Sequence, residues 1–158
     1  MELRFLFVVY PVSHKPGEDL NPDDFQQIDR VCRLVNDELA EDGIETDPLI
    51  FSAPGNCSSA TAGRMAANLG ICYEVDERLS PKDTHGPFPV ESDEVIELVN
   101  QHKDKLAIIL VTHIGRSRGT SDNAKCFITE YFEEKLGIRV PTTFFFDGGF
   151  QFQCKSTL

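Results

Sequence analysis

The residue types best suited to chemistry stand directly after one apolar segment of the chain. Leu106–Thr112 holds seven apolar or β-branched residues in a row, the pattern of a central parallel strand covered on both faces. The segment ends at His113, and a short glycine-bearing loop with Arg116 and Arg118 follows. Imidazole and guanidinium groups bind phosphates and carboxylates, and ligands bind beyond the carboxyl ends of parallel strands. A structural histidine beside two solvated arginines is the alternative explanation of the same residues.

Three further residues belong to the same end of the predicted sheet. His14 and His85 lie in the loops that follow the first and third predicted strands. Cys57 stands at the start of a predicted helix, where a thiolate is favoured and a pair with His113 is conceivable. A small buried apolar filler is the alternative role for this cysteine. The histidines lack the HxH or HxxxH spacing of metal ligands, so no metal site is predicted.

Strands and helices are predicted to alternate through most of the chain. Apolar runs predict strands at Leu3–Val9, Pro48–Ser52, Ile71–Val75 and Leu106–Thr112. Helical spacing with cap and stop signals predicts helices over residues 21–43, 58–69, 92–102 and 123–136. Thr142–Phe146 and Phe150–Gln153 flank a hairpin turn. The order predicts one domain over residues 1–158: a three-layer α/β/α fold, with a mostly parallel sheet and a C-terminal antiparallel edge hairpin.

Composition narrows the classes of partner. The net charge of −11 opposes binding to nucleic acid or to an anionic membrane surface, so neither partner is predicted. Five scattered cysteines without a CxxC pair suit a reducing compartment, and no signal-peptide pattern comes after the first apolar run. We therefore expect a cytoplasmic protein without a cofactor, whose oligomeric state the sequence leaves open. The charged run Asp76-Glu77-Arg78 is predicted to be solvated.

Several segments, taken in order, resemble the histidine phosphatase superfamily with its phosphoglycerate mutase-like fold, and most of all the short phosphohistidine phosphatases. Residues 52–62 (SAPGNCSSATA) resemble that family's Ser-Ser-Pro, arginine, Gln-Thr-Ala segment, and residues 68–70 and 76–81 resemble the family's next segments along the chain. Val111-Thr112-His113 falls where the family carries its second catalytic histidine. The resemblance implies a phosphatase fold in which the first and fourth strands end side by side.

The departures from the family pattern bear on activity. Val9-Tyr10-Pro11-Val12 occupies the place of the family's Arg-His-Gly, whose histidine takes the phosphoryl group, and Cys57 stands where an arginine is expected. Tyrosine and proline form no phosphohistidine, and a thiol supplies none of the donors of a guanidinium fork. The resemblance with these losses implies a catalytically degenerate protein, a pseudoenzyme, around His113. Its remaining pocket would hold a small phosphate-like anion through a set of nearby groups: Tyr10, Cys57, His85, Arg116 and Arg118.

Two other functions remain open at this level. In the first, the protein is an active phosphatase on phosphohistidine or a small phosphorylated metabolite, working through His113 with His14 as the nucleophile. A nucleophile in the middle of a loop is held less rigidly than one at a strand end, which counts against this route. In the second, the chain is a flavodoxin-like domain that binds a small ligand, and its similarity to phosphatases is accidental.

Overall fold

The computed structural model describes residues 3–12, 19–80, 93–112, 142–147 and 150–155. The strands in these ranges are β1 (Phe5–Val9), β2 (Leu49–Ser52), β3 (Tyr73–Val75), β4 (Ala107–Val111), β5 (Thr142–Asp147) and β6 (Phe150–Lys155). The helices are α1 (Pro22–Glu41), α2 (Asn56–Leu69) and α3 (Asp93–Gln101), and Glu77–Leu79 forms a short 3-10 helix. The predicted helix over residues 123–136 lies outside the described residues. No helix within the described ranges combines the length and apolarity that crossing a membrane requires.

Helix α1 begins and ends at the signals that its sequence carries. The Asn21 side chain accepts the Asp24 N–H at 2.9 Å, and the Asp24 carboxylate accepts the Asn21 N–H at 3.0 Å, which is a capping box. At the other end Gly43 has φ +71°, a left-handed conformation that costs glycine little. The Gly43 N–H donates to Ala40 O and the Ile44 N–H to Leu39 O, so the helix ends in a Schellman motif.

The six strands form one sheet in the order β3-β2-β4-β1-β5-β6. Every neighbouring pair is parallel except β5 and β6, which pair antiparallel at the sheet edge. Val9 at the end of β1 aligns with Val111 of β4 and Phe146 of β5. The mostly parallel sheet and its antiparallel C-terminal hairpin are therefore confirmed, as is the pairing of the first and fourth strands.

The strand order separates this fold from flavodoxin. In a flavodoxin-like sheet the first strand lies between the second and the third. Here β1 lies between β4 and β5, and β2 is reached only across β4. The flavodoxin-like alternative is therefore wrong, because alternation of strands and helices fixes layers but leaves several strand orders open.

Alternate side chains of the central strands enter two separate cores. On one face Leu6 and Val8 of β1 lie in a buried cluster with residues of α3: Val95, Ile96, Leu98 and Val99. On the other face Phe5 and Phe7 lie in a cluster with residues of α1 and α2: Ile28, Val31, Val35, Ala62 and Met65. The Phe7 and Phe144 rings stack there with centroids 5.4 Å apart. Helices on both faces make the three-layer arrangement that the sequence predicts.

Candidate functional site

The carboxyl ends of four adjacent strands are tied together at one level. The Tyr10 N–H after β1 donates to Phe146 O of β5 at 2.8 Å, and the Thr112 N–H after β4 donates to Val9 O at 3.1 Å. The Ala53 N–H after β2 donates to Val111 O at 3.0 Å. These bonds continue the ladders one residue past each strand, so the tips that precede the candidate loops form a single rigid edge, which we call the carboxyl edge.

The first residue after β1 is a buried tyrosine. Tyr10 is 3% exposed and lies in the buried cluster that α3 covers, together with Val8 and Leu110. The resemblance in the sequence predicts that Val9-Tyr10-Pro11-Val12 replaces the nucleophile motif of the histidine phosphatases. That Tyr10 contacts an anion stays a prediction. An anion would have to reach a side chain that is almost completely buried.

Buried hydroxyl groups close the neighbouring tips. Ser52 is fully buried and its hydroxyl donates to Ala53 O at 2.8 Å. Thr112 is 2% exposed and its hydroxyl donates to Leu79 O at 3.0 Å, which joins the end of β4 to the 3-10 helix. Because a buried polar group must be hydrogen-bonded, both side chains serve the structure of the edge.

Thr61 of α2 joins the first turn of its helix to the extension of β1. Its hydroxyl donates to Cys57 O at 2.8 Å and accepts the Val12 N–H at 3.1 Å, and the residue is fully buried. A pocket of about 10 Å³ beside this link is lined by Tyr10, Val12, Thr61 and neighbours, which leaves room for one water molecule at most. The Thr61 hydroxyl thus links the backbone of Cys57, which is half-buried, to the segment that follows β1.

Arg64, further along α2, is bound elsewhere. Its guanidinium makes two hydrogen bonds of 3.1 Å to the Asp29 carboxylate of α1 and lies 4.5 Å from the centroid of the Phe25 ring. Asn68 also donates to Asp29. The hydrogen bonds from Arg64 hold the pKa of Asp29 below its usual range. This arginine joins α2 to α1 through Asp29.

Asp76 and Arg78 form an ion pair at the carboxyl edge, after β3. Two hydrogen bonds, 3.0 and 2.9 Å long, join the guanidinium to the carboxylate, and the Arg78 N–H donates to Asp76 at 2.9 Å. The side chains are only 19% and 26% exposed, so the predicted solvated charge run is wrong for Asp76 and Arg78, whereas Glu77 between them is exposed. The hydrogen bonds from Arg78 keep the pKa of Asp76 below its usual range. An aspartate at this position favours a hydrogen bond from the backbone N–H two residues later, so the sequence can predict that bond. It does not predict that the two side chains are largely buried.

The histidines and arginines of the predicted site are not among the residues that the structure describes. His113, His14, His85, Arg116 and Arg118 all lie outside the described residues. The description stops at Thr112, which precedes His113 in the sequence, and resumes at residue 142. Within the described ranges, no group of three histidine, cysteine, aspartate or glutamate side chains is arranged to hold a metal ion.

Comparison by sequence finds no matching protein-family model and no matching curated protein. Comparison of structures finds a similar crystal structure, named as the phosphohistidine phosphatase SixA from Agrobacterium tumefaciens. The TM-score is 0.51 at 15% sequence identity, over 87% of this chain and 84% of that one. The chain has a SixA-like fold. The likeness extends over most of both chains and agrees with the resemblance found in the sequence, while its low identity leaves activity to be argued from the site.

Proposed function

We propose that this protein is a SixA-like domain that binds a small phosphate-like anion at the carboxyl edge and does not transfer phosphoryl groups. The SixA-like fold supports the location, because ligands of open α/β sheets bind beyond the carboxyl ends of the strands. The tips of β1 and β4 lie side by side, and His113 follows the second of them in the sequence.

One observation carries the loss of catalysis. The tip of β1, where the family places its nucleophilic histidine, holds Tyr10 at 3% exposure in an apolar cluster. Phosphoryl transfer depends on a positioned nucleophile and on positive charge around the transferred group. Neither a phenol in that cluster nor the proline after it supplies an imidazole nitrogen for a covalent intermediate. Arg78, the guanidinium described at this edge, is already committed to Asp76.

The start of α2 supports binding of an anion without chemistry. Gly55 at the N-cap has φ +134° and gives the helix no side-chain cap, and the first turn contains no acidic residue. The positive end of the helix dipole therefore faces the carboxyl edge without a compensating carboxylate of its own. His113, His85, Arg116 and Arg118 are proposed to complete the site from the loops, with Cys57 on the helix side. Such a set holds a phosphate in its ground state and leaves it intact.

An activity assay tests the loss of catalysis. We expect no hydrolysis of p-nitrophenyl phosphate or of a phosphohistidine peptide above the rate of buffer alone. Hydrolysis that disappears in the His113→Ala variant would instead establish an active phosphatase. If activity is found, a second variant, His14→Ala, decides whether the loop histidine is the nucleophile, since only then is a covalent phosphoenzyme lost with it.

Titration with inorganic phosphate tests the binding site separately. Asn56→Asp places a carboxylate in the first turn of α2, and we expect it to weaken phosphate binding about tenfold through repulsion. Asn36→Asp makes the same change on an exposed face of α1 and should leave the affinity unchanged. Equal affinity in both variants, measured by isothermal titration calorimetry, contradicts a site at this helix end.

A further inference from the structure

A groove of about 530 Å³ lies at the opposite end of the sheet, where β2, β3 and β4 begin. Its size falls in the range of small-molecule sites in proteins. The lining comes from three parts of the chain: Asp47–Phe51 along β2, residues 70–72 and 74 at the start of β3, and His102 with Lys105 between α3 and β4. None of these residues belongs to the carboxyl edge, so the groove is independent of the function proposed above.

The strand register sets the shape of this groove. It follows the chain from Asp47 into β2 as far as Phe51, five residues whose first and last Cα atoms lie about 13 Å apart in an extended chain. Leu49, half-buried, lies midway along this path and packs on the core beneath α3. At the far end Glu74 aligns with Phe51 across the strands, and the His102 ring lies 4.9 Å from the Phe51 ring. The groove therefore extends along this segment, with the aliphatic side chain of Leu49 at its middle.

Charges of both signs border the groove. Asp47 and Glu74 are exposed carboxylates, and Lys105 is an exposed ammonium. Within the described ranges none of these three side chains forms an ion pair, whereas Asp29, Asp42 and Asp76 are each paired with an arginine. Asp47 stands with Lys105 at the end where β2 and β4 begin, and Glu74 lies with His102 near the Phe51 end. Each end thus offers an acceptor and a basic group.

We propose that this groove binds a short peptide of three to four residues with free ends, lying extended along β2. Three or four residues span about 10 to 14 Å, which matches the length of the groove. The free ammonium pairs with Glu74 at the Phe51 end and the free carboxylate with Lys105 at the other end, while an apolar side chain packs over Leu49. A peptide without these terminal charges gains only the apolar contact.

Cys72 provides a direct measure of occupancy. It is exposed and lines the groove beside Leu49 and Glu74, whereas Cys57 lies at the opposite end of α2 and serves as an internal reference. We expect the tripeptide Ala-Leu-Ala to slow alkylation of Cys72 by iodoacetamide and to leave Cys57 unaffected, as read by peptide mass spectrometry. N-acetyl-Ala-Leu-Ala-amide, which lacks both charges, should protect Cys72 about fivefold less well.

Matched variants test the charge assignment. Lys105→Ala and Glu74→Gln should each weaken protection by Ala-Leu-Ala about fivefold. Lys103→Ala and Glu97→Gln change the same residue types at exposed positions outside the groove and should have no effect. The proposal is overturned if Cys72 is unprotected at about 10 mM tripeptide. Equal protection by the blocked peptide, or equal effects of Lys103→Ala and Lys105→Ala, overturns it as well.

Discussion

Cys32 shows how one buried side chain makes stability depend on pH. It is 4% exposed between α1 and α2, and burial raises the pKa of its thiol from 9.0 to about 11. Below about pH 9 the thiol is protonated in both the folded and the unfolded chain, so its contribution to the free energy of unfolding is fully present. Between these two values unfolding releases a proton, and the free energy of unfolding falls by up to about 1.4 kcal/mol per pH unit.

The corresponding experiment compares the wild type with Cys32→Ala by urea denaturation from about pH 8 to pH 11. The small cavity in the variant lowers its free energy of unfolding by an amount that does not depend on pH. Above about pH 9 the free energy of unfolding of the variant should fall less steeply with pH than that of the wild type. Parallel pH profiles for the two proteins would show that Cys32 does not titrate on unfolding.

Single residues also mark the limit of reading this site from sequence. From its resemblance to the histidine phosphatases, the sequence predicts that the β1 tip at Tyr10 and the helix start at Cys57 differ from the family pattern. The sequence does not predict the role of Thr61, because that role comes from hydrogen bonds to two segments that only the fold brings together. The Asp76–Arg78 pair was misjudged for a related reason, since burial depends on what packs above it.

Helix boundaries were easier to predict, because capping is decided within a few neighbouring residues. Asn21 and Gly43 bound α1 as predicted, while α2 begins at Asn56, two residues before the predicted Ser58. The difference arises because Gly55 takes the N-cap position without any side-chain hydrogen bond, so the serine signal after it misleads. Strand β3 is shorter than predicted, since the Ile71 N–H, just beyond the end of α2, is used in closing that helix by its hydrogen bond to Ala66 O.

The cap of α1 makes a prediction at the scale of the element. Asn21→Ala removes the acceptor for the Asp24 N–H and should lower the free energy of unfolding by about 1 kcal/mol. Asn36→Ala, an exposed position in the middle of the same helix, should leave stability unchanged or raise it slightly, because alanine has the higher helix propensity. Urea denaturation of both variants measures the difference, and equal destabilisation would contradict the role of the cap.

At the scale of the molecule, the sheet separates two regions of different character. At the carboxyl edge the buried hydroxyl groups of Ser52 and Thr112 are hydrogen-bonded to backbone carbonyls. The groove at the other end is bordered by charged side chains that form no ion pair within the described ranges. Alternating strands and helices predicted the layers, whereas the family resemblance predicted only that the first and fourth strands lie side by side, and the rest of the strand order was not predicted. Parallel neighbours are joined by long crossovers, and their order depends on packing between distant segments.

The net charge of −11 leads to a prediction for the whole molecule. At neutral pH the excess of carboxylates repels itself in the compact state, and added salt screens this repulsion. Raising sodium chloride from about 0.02 M to about 0.3 M should therefore raise Tm by a few degrees. Near the isoelectric pH the excess vanishes, and the same addition should change Tm little. Differential scanning fluorimetry at both pH values measures the contrast, and a Tm that falls with salt at neutral pH would mean that attractive pairs such as Arg64–Asp29 outweigh the net repulsion.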